Sequence, residues 1–442
     1  MKDEGPPRYL KDREGYFSGE QRERTIKRSR DMEKNARDRL TSKRTRAGRM
    51  SYFDEVMRYD GARSQELSEM RERGVKIVGT MCVMVPIEII NAAGAKNVRL
   101  CSGYYEPVHP ANELLGDAGL CPMVKSTLGT RMVGSDPLTS NVDMVVGPAT
   151  CDGKMKLAEI LEDWVKVVMM NVPRVKIGET SSELWVREIE YLVRMLEELT
   201  GKKVTRRSLL KEIGKWNRAH ELWSRLLGLR RSGAPPISGQ DAMLVAQAAQ
   251  VDDIERWCSK VEELISELED MKKKGRSAAE EGAARILIAG SPMMYPNFKI
   301  PSIVEESGGI IVHDELCSGF RIVSDPVIPD GFTRKALLRA LAERYFFPST
   351  CPCFSPNDER LRRMRTSIRD FGVEGVVFHT LRGCHLNNLE ATKIEMDLRE
   401  IGIPMVKLES EYDEGDVEQV RTRVEAFVEM IKARRGSRGD GA

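Results

Sequence analysis

Nine cysteines are the residues of this 442-residue chain best suited to chemistry, and their positions decide what kind. The sequence has no apolar leader at its start and no run long enough to cross a membrane, so a cytoplasmic location is expected, where thiols stay reduced. The cysteines are then buried apolar residues, metal ligands or reactive thiols. No C-x-x-C pair occurs, and the thiols are spread over hundreds of residues, which disfavours a zinc knuckle. Cys82, Cys151, Cys317 and Cys384 each follow a short apolar run (75–78, 142–146, 309–312 and 375–378). In open parallel sheets ligands bind beyond the carboxyl ends of the strands. Two such cysteines from each half of the chain could therefore line one cleft. Cys151 and Cys384 also precede segments expected to be helical. A helix N-terminus lowers a thiol pKa and favours negative charge, as on a thiolate-ligated cluster.

The remaining cysteines divide. Cys258 repeats with Val251, Ile254, Val261, Ile265 and Leu268 on the apolar face of a helix and reads as core. Cys101 ends a strand and also reads as core. Cys121, Cys351 and Cys353 fall in loops rich in Pro and Gly, where burial explains less. His313, His379 and His385 lie near strand ends on the side of the cysteines and are candidate donors to a cluster or substrate. His109 and His220 have no evident partner. The sequence carries no G-x-G-x-x-G after a strand, no G-x-x-x-x-G-K-[ST], no G-x-S-x-G and no H-E-x-x-H, so it lacks those devices for nucleotide binding and hydrolysis.

The elements that must position these residues read as an α/β protein in four blocks. Residues 1–70 form a basic, helical N-terminal segment. Residues 71–180 form a first α/β domain carrying cysteine loops, with strands at 75–78, 98–100 and 142–146 and helices at 86–93 and 157–169. Residues 181–282 form a helical segment. Residues 283–442 form a second α/β domain, with strands at 286–288, 309–312, 375–378 and 405–408 and helices near 333–345, 356–370, 388–401 and 416–434. Charged residues make up 31% of the chain but leave a formal charge of only +2, which argues against wholesale binding to nucleic acid or a membrane surface. Before residue 50 Lys and Arg outnumber Asp and Glu, without interleaved aromatics from Arg22 to Arg49. That stretch is expected to be a solvated helical arm or a contact between subunits rather than a nucleic-acid site.

The cysteine loops resemble those of the 2-hydroxyacyl-CoA dehydratase/benzoyl-CoA reductase family. The matching runs are Met81-Cys82-Val83-Met84-Val85-Pro86-Ile87-Glu88, Leu120-Cys121-Pro122-Met123-Val124-Lys125-Ser126, and Asp143 through Gly147-Pro148-Ala149-Thr150-Cys151-Asp152-Gly153-Lys154. Cys351-Pro352-Cys353-Phe354-Ser355-Pro356-Asn357, Gly383-Cys384-His385-Leu386-Asn387-Asn388-Leu389-Glu390 and the stretch from Gly402 to Phe427 match as well. The resemblance covers roughly residues 70–435. It implies two flavodoxin-like domains with parallel sheets and a 4Fe–4S cluster on Cys121, Cys151 and Cys384. It also implies an ATP-dependent iron–sulfur activator protein that injects a low-potential electron for radical chemistry on a CoA thioester, within a homo- or heterodimer of homologous chains. The double-cubane branch, which reduces small molecules, is similar at Cys-Pro-x-x-Lys-Ser, Thr-Cys-Asp-Gly-Lys and Cys-His-x-x-Asn-x-Glu. Under that resemblance Cys82, Cys317 and Cys353 would supply a second ligand set for an 8Fe–9S cluster. Within the matching runs His385, Lys125 and Glu88 are candidate catalytic groups, and Lys154 and Ser126 candidate cofactor-binding groups. Lys154-Met155 stands where that branch often has Lys-Lys, and Leu386-Asn387 where it often has a Tyr, which leaves the substrate open between a CoA thioester and a small molecule. A non-catalytic partner chain of a larger complex and a cluster-free thioester-binding protein are the competing readings.

Overall fold

The computed structural model describes residues 19–43, 45–116 and 119–439. The chain begins with helices α1 (Gly19–Thr41), α2 (Met50–Val56) and α3 (Ala62–Glu72). The first α/β unit follows: β1 (Ile77–Thr80), α4 (Ile87–Ala92), β2 (Lys96–Arg99), α5 (Val108–Leu115), α6 (Pro122–Val133), α7 (Pro137–Ser140), β3 (Met144–Pro148), α8 (Asp152–Leu161) and β4 (Lys166–Met170). Four helices come next: α9 (Glu179–Thr200), α10 (Arg206–Arg230), α11 (Gly239–Ala248) and α12 (Ile254–Lys273). The second unit comprises β5 (Ala284–Gly290), α13 (Lys299–Glu306), β6 (Gly309–Glu315), α14 (Arg334–Phe346), α15 (Asp358–Phe371), β7 (Gly375–Leu381), α16 (His385–Glu400), β8 (Met405–Ser410) and α17 (Val417–Gly439).

Each unit builds one four-stranded, wholly parallel sheet, ordered β2-β1-β3-β4 and β6-β5-β7-β8. The two orders are the same, and both are the flavodoxin-like arrangement expected from the sequence. In each, the chain changes direction across the sheet next to its first strand, and the crevice at that switch is where such sheets take ligands. The strands read as near-continuous apolar runs because helices cover both faces: Ile286, Leu287, Ile288, Val376, Val377 and Phe378 are fully buried.

The expected helix over 157–169 is a helix followed by a strand. α8 starts at Asp152 and stops at Leu161, and β4 occupies Lys166–Met170 as an edge strand paired with β3. The apolar run from Val165 to Met170 fits either period; the β-branched pair Val167-Val168 and the turn at Asp163-Trp164 settle it as strand. The basic N-terminal stretch, from residue 19 onward, is docked on the body rather than solvated. Glu33 and Leu40 of α1 are buried, and Arg46 bridges Asp54 (2.6 Å) and Asp241 (2.8 Å). Residues 1–18 and 44 of that stretch lie outside the described residues.

The core runs through both units. α10 and α12 pack Trp216, Trp223, Trp257 and Cys258 against the second sheet's surroundings, so Cys258 is core as its spacing implied. Among the described residues no helix is long and apolar enough to cross a membrane.

Candidate functional site

Three cysteines occupy the same local position. Cys121, Cys151 and Cys384 are the N-cap residues of α6, α8 and α16, and none of the three caps carries a side-chain capping bond. The sequence dictates this locally: Pro122 sits at the first helical position of α6, and Asp152 adds an acidic residue to the first turn of α8. The backbone N–H groups of each first turn thus face the thiol end, where a thiolate is favoured.

The two units bring these caps together. Gly383, at φ +77°, lies so close to the loop before α6 that a Cβ there would sit 2.3 Å from the Gly119 carbonyl oxygen and 3.0 Å from the Cys121 nitrogen. Only glycine permits both that φ and that approach. The Cys121 thiol is pushed up to about 12, first by burial and then by Cys384, while Cys151 acts in the same direction and the Val124 N–H opposes it. Asn387 Nδ2 donates to Cys384 Sγ at 3.4 Å. Tyr412, Val108 and Leu381 close an apolar wall against Cys121, Cys384 and Met123.

A second group of thiols lies across the cleft. Cys82 is held up by burial, and its charged neighbours are Lys154, Cys317 and Cys351. Cys351 is lowered to about 6, chiefly because the Cys353 thiol hydrogen-bonds to it, with Arg321 adding to the effect. Cys353 is raised by that same bond and is buried beside Phe346 and Phe354. The two thiols therefore share one hydrogen bond, with Arg321 on the Cys351 side.

Buried cations stand among these sulfurs. Lys154 donates to Thr150 Oγ1 at 2.7 Å, and among the described residues no carboxylate pairs with it. Burial alone would lower its pKa; Cys82, Cys151, Cys101 and Cys351 together raise it above the usual value. Arg99 donates to the Cys317 carbonyl at 2.8 Å and has the sulfurs of Cys101, Cys317 and Cys82 around it. Arg321 faces Glu315, Cys317, Cys351 and Cys82. Behind it Arg360, fully buried, joins Glu315 (2.9 Å) and Glu390. Cations buried this deeply are costly unless an anion meets them: Arg321 and Arg360 have Glu315, whereas Lys154 and Arg99 have sulfurs around them that could carry the charge.

The other sequence candidates fall as follows. His385 is the exposed first residue of α16, next to Cys384, and Lys125 is buried in α6, four residues after Cys121. Ser126 Oγ donates to the Tyr104 carbonyl (2.6 Å) and accepts from Ser102 Oγ (2.7 Å), which fixes the loop after β2. Glu88 accepts from Tyr345 Oη at 2.7 Å and is surrounded by Tyr345, Arg344 and Glu212. His313 lies between Phe320 and Phe371, and His379 meets Ser410 Oγ at 2.8 Å, so both are packed in the second unit's core. Cys101, read from its strand end as core, instead faces Arg99 and Lys154 at the cleft. Arg99 stands two residues before it, and that basic residue at a strand end is the signal the sequence offered. Arg321 and Arg360 carried no such signal.

Among the described residues no three His, Cys, Asp or Glu side chains converge tightly enough to hold a single metal ion. The helix starts at three of the thiols and the buried cations near the others suit an anionic group.

Comparison with known proteins gives a consistent result. The family model for the 2-hydroxyglutaryl-CoA dehydratase D-component matches residues 82–431. YjiM of Escherichia coli (strain K12), a protein named for a dehydratase subunit, is 34% identical over 369 residues, 82% of this chain and 93% of its own. The beta subunit of (R)-phenyllactyl-CoA dehydratase from Clostridium sporogenes is 22% identical over 83% of this chain and 94% of its own. One of the subunits of benzoyl-CoA reductase from Thauera aromatica is 23% identical over 81% and 91%.

Proposed function

The chain belongs to the 2-hydroxyglutaryl-CoA dehydratase D-component family, and from that premise we propose that it is an iron–sulfur enzyme performing low-potential, radical-type reduction or dehydration. The observation that carries this reading is the meeting of three N-capping thiols, Cys121, Cys151 and Cys384, contributed by both α/β units. These three would hold a 4Fe–4S cluster. Cys82, Cys317 and Cys353 would hold a second, making the double-cubane 8Fe–9S form, with Cys351 hydrogen-bonded to Cys353 beside them.

When bound, such a cluster supplies electrons at low potential and an iron position open to substrate. The chain's own residues do the rest. The first turns of α6, α8 and α16 present backbone N–H groups to negative charge. Asn387 donates to the Cys384 sulfur, and Lys154, near Cys151, together with Arg99 and Arg321, near Cys317 and Cys82, would counter the charge. Tyr412 and Leu381 shield the triad from water. His385, exposed at the start of α16, is placed to exchange protons at the cleft mouth, and Lys125 adds a cation near Cys121. The electron would come from a separate ATP-hydrolysing iron–sulfur activator protein in the cytoplasm.

A second reading is favoured by the relatives, whose names describe subunits of enzymes acting on CoA thioesters. In it the chain pairs with a homologous chain in a heteromeric dehydratase or reductase.

Anaerobic purification with iron and sulfide counting and Mössbauer spectroscopy tests the first reading. A brown protein with several irons per chain supports it, and Cys151→Ser and Cys384→Ser should each lose the triad's iron. A colourless protein after reconstitution would overturn it. Co-purification with a homologous chain supports the heteromer; a stable homodimer with reductase activity removes it.

A further inference from the structure

Beside the thiol cleft lies a cavity of about 60 Å³ whose wall includes Tyr59, Arg99, Cys101, Tyr104, Asp136 and Tyr295. Wholly apolar cavities stay dry, but the mixed wall of this one carries unpartnered polar groups. The Tyr59 hydroxyl and the Arg99 Nε are buried without a hydrogen-bond partner, in residues only 3% and 7% exposed. A water needs roughly 10–15 Å³ and two to four polar contacts. The cavity has room for several, and its two unpartnered groups are what such waters would satisfy.

Its two ends differ. At one, Tyr295 Oη donates to Glu33 Oε1 at 2.9 Å, and Glu33 in turn pairs with half-buried Arg37 at 3.1 Å, which leads to the surface. At the other, Arg99 faces the Cys101 sulfur, and Lys154 joins Cys101 to Cys82, Cys151 and Cys351. Asp136 stands in the wall between. Burial raises its carboxyl to about 6, against the opposing hydrogen bonds of the Leu138 N–H and Thr139. The titratable groups around it are Tyr59 from the α2–α3 turn and Tyr104 from the loop after β2, with Arg22, Arg30 and Asp60 beyond Tyr59 and Glu33 and Tyr295 beyond Tyr104.

We propose that this cavity is a water-filled proton path into the thiol cleft, with Glu33 and Tyr295 at its mouth, Asp136 as its store and Cys101 at its inner end. The path rests on the reductive reading above and gives the N-terminal helix a role in it, since Glu33 belongs to α1. Each electron that the cleft receives from the external reductant is matched by one proton. The Asp136 carboxyl O–H breaks and its proton passes to a cavity water, which hands one on past Cys101 to the group being reduced. Glu33, protonated from solvent on its Arg37 side, passes that proton to Tyr295 Oη as the hydroxyl turns from Glu33 and releases its own proton inward, and Asp136 is restored. No electron travels along the path. An acid that titrates near neutral pH is suited to such a relay.

The test uses the full-length protein with Asp136→Asn, Tyr295→Phe and Glu33→Gln, and Asp136→Glu as the conservative rescue. In the iron-free protein, the wild-type minus D136N infrared difference spectrum should show a protonated carboxyl band that titrates near pH 6 and shifts rapidly in D₂O, the contribution of Asp314, also raised to about 6, cancelling in the difference. In Y295F that shift should slow. In the iron-loaded protein, proton uptake upon reduction, followed by indicator stopped flow, should slow about 10- to 100-fold in D136N and recover in D136E. The wild-type pH profile should lose its inflection in D136N. A folded D136N that takes up protons at the wild-type rate and pH profile overturns the path. So does a wild type without that carboxyl band. A chain that binds no iron overturns the cluster reading instead, and the band and its exchange then decide the path alone.

Discussion

In the first α/β unit Cys121 and Cys151 sit at helix starts and meet backbone amides. In the second only Cys384 does so, while Cys317 and Cys351 lie near Arg321, with Arg360, Glu315 and Glu390 behind it. The strand orders of the two units are the same, so topology alone does not explain the difference. Backbone amides cannot be titrated or lost by substitution, whereas a network of buried side-chain charges depends on every member. The second unit also buries two histidines, His313 and His379; the first unit's His109 is exposed. One half therefore presents a robust anion site, and the other an electrostatically sensitive one.

The largest effect should come from breaking the second unit's network. Arg360 is completely buried between Glu315 and Glu390. Its Nε approaches Glu315 to 2.9 Å without the alignment of a hydrogen bond, so the link is ionic. Arg360→Met leaves Glu390 without its cation and Glu315 with only the more distant Arg321 (3.8 Å), and should cost about 3 kcal/mol in chemical denaturation. Should R360M prove as stable as wild type, the two halves do not differ in the way described.

Next is the contact between the halves. Gly383→Ala adds a Cβ 2.3 Å from a backbone oxygen at φ +77°, and should cost about 1–3 kcal/mol. Because Gly383 adjoins Cys384 and presses on the Cys121 loop, thermal melts should show the loss and iron content should fall with it. Retained iron at normal stability would mean that the caps need not be in register.

Acid should separate the halves more gently. Burial holds His379 neutral and lowers it to about 3 from 6.5. Below pH 6.5 the unfolded chain takes up a proton that the folded chain refuses, so stability falls as pH drops from 6.5 toward 3. At pH 5 the loss from this one group is roughly 2 kcal/mol. His379→Gln should flatten that slope in pH-dependent denaturation, with His313, shifted in the same direction, accounting for acid sensitivity that remains. An unchanged slope in H379Q would place the acid sensitivity elsewhere.

The sheets were legible in the sequence because their strands are buried on both faces and read as short, bounded apolar runs. β4 was missed because an edge strand beside a helix shares its apolar residues with either period. Cys151 and Cys384 could be placed at helix starts from the strand-turn-helix rhythm alone. Their meeting with Cys121 could not: it depends on Gly383 packing against a loop more than 260 residues away in sequence, and no local pattern encodes a contact between two domains. The contact between Cys351 and Cys353 was hidden for a similar reason, since it depends on how their loop folds beside a distant arginine. Cys101 and Arg99 were hidden because a strand end reads the same whether it faces core or cleft.

The smallest effect on stability should be the most informative about the first unit's charge. Lys154 follows Cys151 by three residues and is buried with sulfur as its anionic surroundings. In the iron-free protein those thiols can carry protons, so removing the lysine strands no anion and also removes a buried cation that is costly to desolvate. Lys154→Met should therefore change iron-free stability by less than about 1 kcal/mol, in either direction. A bound cluster fixes negative charge on its thiolates, and the methionine cannot answer it. Iron-loaded K154M should lose iron to a chelator faster than wild type, while iron-loaded Lys125→Met, in the same unit, serves as the comparison. Large destabilisation of iron-free K154M would show that the thiols are ionised without any metal, and that Lys154 belongs with the sensitive network of the second unit rather than with the backbone caps of the first.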